Sequence, residues 1–169
     1  MLTTNQKGAI AEAAITKAAF EAGIEVYRPA AEGGRYDLIF GFGLRLLRIQ
    51  CKWACVVNDV VVVRAYSCRR AAAGLLKRTY TAAEIDGFAV YCAEVDRCYY
   101  LPIELLDGKS HASLRLSPTR NNQSLGVHWA RDFEFGATLR LLDGPIAQLG
   151  ERLHGMQEAG GSSPPGSTL

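Results

Sequence analysis

The chain has 169 residues, of which 49% are hydrophobic and 21% charged, and its formal net charge is +2. That length supports one domain with a sizeable core, and that balance excludes a disordered chain. The charge is too small to argue for nucleic-acid binding by itself, and no apolar run approaches the roughly 20 residues that span a bilayer.

Thr3 or Thr4 can cap a first helix, with Gln6 completing a capping box from Thr3. Ala11, Ala14, Ile15, Ala18 and Ala22 recur at helical spacing, and Gly23 ends the run. The N-terminus thus leads into an amphipathic helix and not into the apolar core of a signal peptide. Ile24 to Tyr27 alternates as a short strand that Pro29 stops. Tyr36 to Phe40 is expected as a strand, with Gly41-Phe42-Gly43 as the turn that returns the chain.

Leu44 to Trp53 follows as a long strand. Its alternation puts Leu47, Ile49 and Cys51 on one face and Arg48, Gln50 and Lys52 on the other. Asn58-Asp59 marks a turn into Val60-Val61-Val62-Val63, expected as a strand buried on both faces. Cys68 to Arg78 is a basic stretch around an Ala/Leu patch, a loop or a short helix. Thr81-Ala82-Ala83-Glu84 is a capping box expected to open a short helix that Gly87 ends. Phe88 to Cys92 and Cys98 to Ile103 are two strands around an Asp96-Arg97 turn, and Leu114 to Leu116 is a further short strand. After Phe135 the pattern weakens. The expected fold class is α/β, a central mixed β-sheet with the first helix packed on it.

The five cysteines, Cys51, Cys55, Cys68, Cys92 and Cys98, are odd in number and scattered through strand-like segments. They are expected as small core residues in a reducing, cytoplasmic setting and not as a disulfide framework. Cys51 and Cys55 lack a second Cys/His pair of matching spacing, so a structural zinc is not expected.

Chemistry concentrates at Asp37 and at Gln50-Cys51-Lys52. Gln50 and Lys52 share a strand face, and an antiparallel turn can bring Asp37 beside them. The Asp37 carboxylate, the Gln50 side-chain oxygen and the Cys51 backbone carbonyl suit Mg²⁺, with Mn²⁺ as a substitute, because these ions take hard oxygen ligands. Lys52 can orient the attacking water and offset charge developing on a phosphate. Glu12, from the first helix, can hold a second metal or an outer water. The same residues also suit a solvated sheet face, with Asp37 as a cap.

Context favours the chemical alternative. Lys7 to Glu12, Arg28-Pro29, Arg35-Tyr36-Asp37-Leu38, Arg48 to Lys52, Lys77 to Tyr80, Ile85 to Tyr91 and Tyr100-Leu101-Pro102 appear in an order and spacing that resemble the PD-(D/E)XK endonucleases. The small branch associated with group I introns is the most similar. The resemblance spans Asn5 to about Leu116. It implies a restriction-endonuclease-like core flanked by helices, with Glu12, Asp37, Gln50 and Lys52 as the catalytic positions and Tyr36 where the superfamily often has proline. An acidic residue is usual at the position of Gln50; the intron-associated branch accepts glutamine there.

Double-stranded DNA is the implied partner. Arg35, Arg69, Arg70, Lys77 and Arg78 can neutralise phosphates, and Arg120, Asn121 and Asn122 carry side chains suited to base edges. A chain with one active site that must cut two strands is expected to form a symmetric homo-oligomer. The rival expectations are a restriction-like or junction-resolving nuclease on the same fold, and a nucleic-acid-binding module whose site has decayed at Gln50.

The nuclease domain is expected over residues 1–135 and a non-globular tail over 136–169. Within the tail, Gly144 to Thr168 back-translates into tRNA gene elements. Ala147 to Glu151 can be written GCT CAG TTG GGA GAG, a D-arm, and Gly161 to Pro164 GGT TCG AGT CCC, a TΨC arm. Leu153 to Gln157 can be CTG CAT GGC ATG CAG, a hairpin carrying GGC, as in an alanine tRNA. A reading frame running through a tRNA gene places the protein beside a locus favoured by mobile elements.

Overall fold

The computed structural model describes residues 1–31, 33–71, 74–106, 108–118 and 126–142. Helix α1 (Thr4–Glu21) begins at the expected capping box: the Gln6 N–H donates to Thr3 Oγ1 (3.2 Å) and the Thr3 N–H to Gln6 Oε1 (2.9 Å). It ends at Gly23, whose φ of +77° lets the Gly23 and Ile24 N–H groups return to the carbonyls of Phe20 and Ala19. Ala11, Ile15 and Ala19 are its buried face.

A seven-stranded sheet forms the body: β1 (Glu25–Tyr27), β2 (Leu38–Phe42), β3 (Arg45–Val57), β4 (Val60–Arg64), β7 (Gly87–Cys92), β8 (Arg97–Pro102) and β9 (His111–Arg115). It is mixed, as expected. Every strand pair is antiparallel except β3 with β7. The long β3 changes neighbours along its length, pairing with β2 over residues 45–49, with β7 over 49–54 and with β4 over 55–57.

Two apolar clusters flank this sheet. α1 packs on one face through Ala11, Ile15 and Ala19 against Leu38, Phe40, Ile49, Cys51 and Ala89. Helix α2 (Phe135–Leu142) joins that cluster through Phe135 and Leu139, with Phe135 edge-on to Phe40 at 5.7 Å. The opposite cluster gathers Val61, Val63, Tyr80, Ile85, Phe88, Val90, Tyr99, Leu101 and Phe133. It includes two short 3₁₀ turns, Ile103–Leu106 and Ala130–Phe133.

Several local expectations change. β2 runs on to Phe42 and the turn is Gly43-Leu44, because Gly41 is a strand residue crossed closely by β1: a Cβ there would lie 3.1 Å from the Glu25 and Tyr27 side chains. β3 extends four residues past Trp53, carried into β4 by Asn58 and Asp59, both at positive φ. In β4, Val61 and Val63 are buried while Val60 and Val62 are only half-buried, so the strand is covered on one side and not on both.

Residues 68–78 are neither loop nor helix. β5 (Tyr66–Ala71) and β6 (Gly74–Thr79) form a separate two-stranded antiparallel ribbon. The expected helix at Thr81–Glu84 is a single turn: the Glu84 and Ile85 N–H groups reach Thr81 O, after which Ile85 is buried and the chain enters β7. Of the cysteines, all five are free; Cys51 and Cys92 are core residues as expected, but Cys68 is exposed on the ribbon.

α2 crosses the expected domain boundary, since burying Leu139 gives the segment after Phe135 a place in the core. Residues 143–169, and with them the tRNA-like segment, lie outside the described residues. So do Arg120, Asn121 and Asn122. Among the described residues no helix is long and apolar enough to cross a membrane.

Candidate active site

Asp37 stands one residue before β2, and its N–H donates to Ile49 O (2.9 Å), continuing the β2–β3 pairing by a step. Leu38 faces Ile49, so Asp37 comes opposite Gln50. The alternation read from β3 holds: Ile49 and Cys51 enter the α1 cluster, while Arg48, Gln50 and Lys52 belong to the other face.

Gln50 is one of two buried polar side chains among the described residues, 7% exposed. Its Nε2 donates to Asp37 Oδ2 and, at 3.3 Å, to the carbonyl oxygen of Cys51. The Cys51 N–H donates to the same Asp37 oxygen at 2.8 Å. One amide group therefore touches both other oxygen donors, and a carboxylate, an amide and a backbone carbonyl converge on one point.

Electrostatics agree with this geometry. Burial raises the Asp37 carboxyl above its ordinary pKa; the Cys51 N–H partly offsets this, and the nearby Glu12 charge adds to it. Burial lowers the Lys52 ammonium, Asp37 opposes that, and the Arg35 guanidinium reinforces it. A carboxylate held uncomfortably in a half-dry site is one that a cation would stabilise.

Glu12 sits half-buried on α1, and its Oε2 accepts from Arg28 Nη1 at 2.9 Å. The structure thus brings Glu12, Asp37, Gln50, Cys51 and Lys52 together. Among the described residues no group of three or more His, Cys, Asp or Glu side chains is placed to hold a metal. The oxygens that could hold one are the Asp37 carboxylate, the Gln50 amide and the Cys51 carbonyl, with the Glu12 carboxylate near enough for its charge to be felt at Asp37. These hard oxygens fit Mg²⁺ or Mn²⁺, with the Gln50 amide turned so that its oxygen replaces its nitrogen.

The basic residues divide. Lys77 is exposed on β6, with its Nζ 5.1 Å from the Tyr66 ring centre. Arg78, also exposed, pairs with Glu84. Arg69 and Arg70 occupy β5 opposite Leu76 and Leu75. Arg35 turns inward, donating to Ser67 Oγ (3.0 Å), Thr79 O (2.6 Å) and Glu84 Oε2 (3.1 Å).

Sequence reasoning assigned no role to three elements of this neighbourhood. Arg28 restrains Glu12. Arg48 clasps Asp86 through Nε and Nη2, both at 3.0 Å, fixing the start of β7 beside Gln50. Tyr80 receives Lys52 Nζ at its phenol oxygen (3.3 Å). Arg28, Arg48, Tyr80 and Asp86 all fall in segments that carry the resemblance; pairing partners so far apart in the chain is what the sequence withheld.

A family model described as PD-(D/E)XK endonuclease matches residues 2–136. The chain belongs to the PD-(D/E)XK endonuclease family. Its members' activity, cutting within a nucleic-acid chain, makes it a nuclease, and the observed fold is restriction-endonuclease-like. Among solved structures, a bacterial homing endonuclease, I-Ssp6803I, is similar with a TM-score of 0.68. The two share 22% sequence identity, over 85% of this chain and 96% of that one, a likeness that speaks to the fold. No curated protein sequence matches the chain.

Proposed function

We propose that this PD-(D/E)XK endonuclease is a divalent-metal-dependent deoxyribonuclease of homing or mobile-element type, acting on double-stranded DNA as a symmetric homo-oligomer, in the cytoplasm. The observation that carries the catalytic part is the convergence of Asp37, the Gln50 amide and the Cys51 carbonyl beside Lys52. Asp37, Gln50, the Cys51 carbonyl and Glu12 are the residues that would hold Mg²⁺ or Mn²⁺. Bound there, the ion supplies Lewis-acid charge to the phosphate being attacked.

The chain's own groups do the rest. Lys52, on the same strand face as Gln50, presents an ammonium that neutralises charge developing on the phosphate and orients the attacking water. Water adds to phosphorus and gives up one proton, the bond to the leaving oxygen breaks, and that oxygen ends protonated, so one proton passes in net from the water to the leaving group. Asp37 positions the site through its bond from the Cys51 N–H. Lys77, Arg78, Arg69 and Arg70 on the ribbon are proposed to meet DNA phosphates, with Arg35 behind them. Arg120, Asn121 and Asn122 are proposed for base edges. The mobile-element setting rests on the tRNA-like tail, and the gene's nucleotide sequence decides it.

Purified protein is expected to cut duplex DNA carrying its native flanking sequence when Mg²⁺ or Mn²⁺ is present. Asp37→Ala and Lys52→Ala should each lower cleavage by at least about 10²-fold while binding persists. Cleavage surviving either substitution sinks the site assignment. Binding without any cleavage by the unsubstituted protein leaves the nucleic-acid-binding module as the better account.

A further inference from the structure

Lys52 is held in an unusual way for a half-buried ammonium. Among the described residues it makes no ion pair. Its Nζ instead donates to two neutral oxygens, Tyr80 Oη and Tyr66 O, both at 3.3 Å. These belong to the two roots of the β5–β6 ribbon: Tyr66 opens β5, and Tyr80 follows Thr79, the last residue of β6. An ammonium has three donors, so two are occupied and one is left over, while the ammonium also lies 4.9 Å from the Tyr80 ring centre.

Tyr80 is itself fixed on every side. It is 5% exposed, and its ring meets Phe88 edge-on at 5.3 Å. The Arg35 guanidinium lies over its face with the central carbon 3.9 Å from the ring centre. Arg35 is in turn tied to Ser67, Thr79 and Glu84, again around the ribbon roots. As a core residue alone this position needs only a phenyl ring, because burying a phenol oxygen costs free energy without a partner. The partners here are Lys52, which donates to the phenol oxygen, and the Ser67 hydroxyl beside it at the ribbon root.

We propose that Tyr80, clamped by Arg35 and set at the root of the ribbon, is the positioning residue for the Lys52 ammonium. Resting on the nuclease reading above, it adds that the ribbon proposed to meet DNA also holds the catalytic lysine. Neutral oxygens locate the charge without cancelling it, which a carboxylate partner would do. Ribbon placement and lysine placement are then one structural event.

Tyr80→Phe keeps the ring, the Phe88 contact and the Arg35 stack, and removes only the hydroxyl. In Mg²⁺ on the native duplex, its kcat should fall about 10-fold or more, as expected when a reacting group is misplaced. Its KM should stay within about twofold, because ground-state DNA binding is untouched. In a Lys52→Met background, Tyr80→Phe should lower the residual rate no further, the non-additivity expected of groups acting together.

A second measurement needs no cleavage. In tyrosine-labelled full-length protein, the Tyr80 ring-carbon resonance next to oxygen should shift in Lys52→Met, with Tyr80→Phe supplying the assignment. An unmoved resonance, or a Tyr80→Phe protein turning over at the unsubstituted rate, overturns the proposal. If the unsubstituted protein cuts no duplex, the nuclease reading fails, while the resonance still decides whether Tyr80 holds Lys52.

Discussion

Two antiparallel strand pairs of this molecule have opposite surroundings. The β2–β3 pair is paved on one face by α1, and Leu38, Phe40 and Ile49 are fully buried beneath it. The β5–β6 ribbon pairs only with itself, and every residue of β6 is exposed, Leu75 and Leu76 by 63% and 60%. The first pair is rigid because its apolar face is removed from water; the second is held by its own ladder and by contacts at its roots. Asp37, Gln50 and Cys51 come from the rigid pair, and the groups that hold Lys52 come from the base of the ribbon. The proposed catalytic cluster thus lies where a packed element meets an exposed one.

Substitutions can break that contrast, and the largest effect belongs to the packed pair. Ile49→Ala removes a fully buried side chain and should cost about 2–5 kcal/mol, read by denaturant unfolding. Next comes the brace beneath it. Asp86→Asn loses the charge that Arg48 Nε, Nη2 and backbone N–H approach at 2.7–3.0 Å, and should cost on the order of 1 kcal/mol near neutral pH. Burial alone would raise the Asp86 pKa, but the Arg48 bonds outweigh it and hold the carboxyl below its ordinary value. A depressed carboxylate stabilises the fold above its unfolded pKa of about 3.9 and loses that contribution as pH falls through the lower folded value. The unsubstituted protein should therefore lose stability below about pH 3.9 more steeply than Asp86→Asn, checked by melting across pH.

On the ribbon the effects move from stability to binding. Lys77→Ala should leave the melting temperature unchanged and reduce the salt dependence of DNA affinity by about one unit of slope. The smallest effect is Leu76→Ala, within about 0.5 kcal/mol in unfolding, since this leucine is mostly in water already. A large loss of stability there would show that the ribbon is packed after all.

The same contrast explains what was legible in the sequence. Leu47, Ile49 and Cys51 alternate with Arg48, Gln50 and Lys52 because one face of β3 is buried, so a period of two exposes both the strand and its chemical face. The capping box at Thr3 and the glycine stop at Gly23 are equally local signals, and both hold. β6 has no buried face to impose alternation, so Cys68 to Arg78 reads as a loop or short helix in the sequence. The turn at Thr81–Glu84 carried a helix signature, but Glu84 is drawn to Arg35 and Arg78, and Ile85 enters the core before a second turn can form. Tyr80 lies 28 positions from Lys52, and α2 finds its place by packing into the cluster of Phe40, Leu38 and α1. Such pairings are made by the tertiary fold, and no local pattern announces them.

The Gln50 amide has a further consequence, for the life of the protein before it meets metal or DNA. Two carboxylates set side by side in a half-dry cleft repel and strain the fold until a cation arrives. Here the amide N–H groups rest on Asp37 and the Cys51 carbonyl, so the chain's own donors offset part of the cost of burying that carboxylate, while the nearby Glu12 charge still adds to it. Under the metal dependence proposed above, chelation is therefore expected to withdraw catalysis while leaving the melting temperature nearly unchanged.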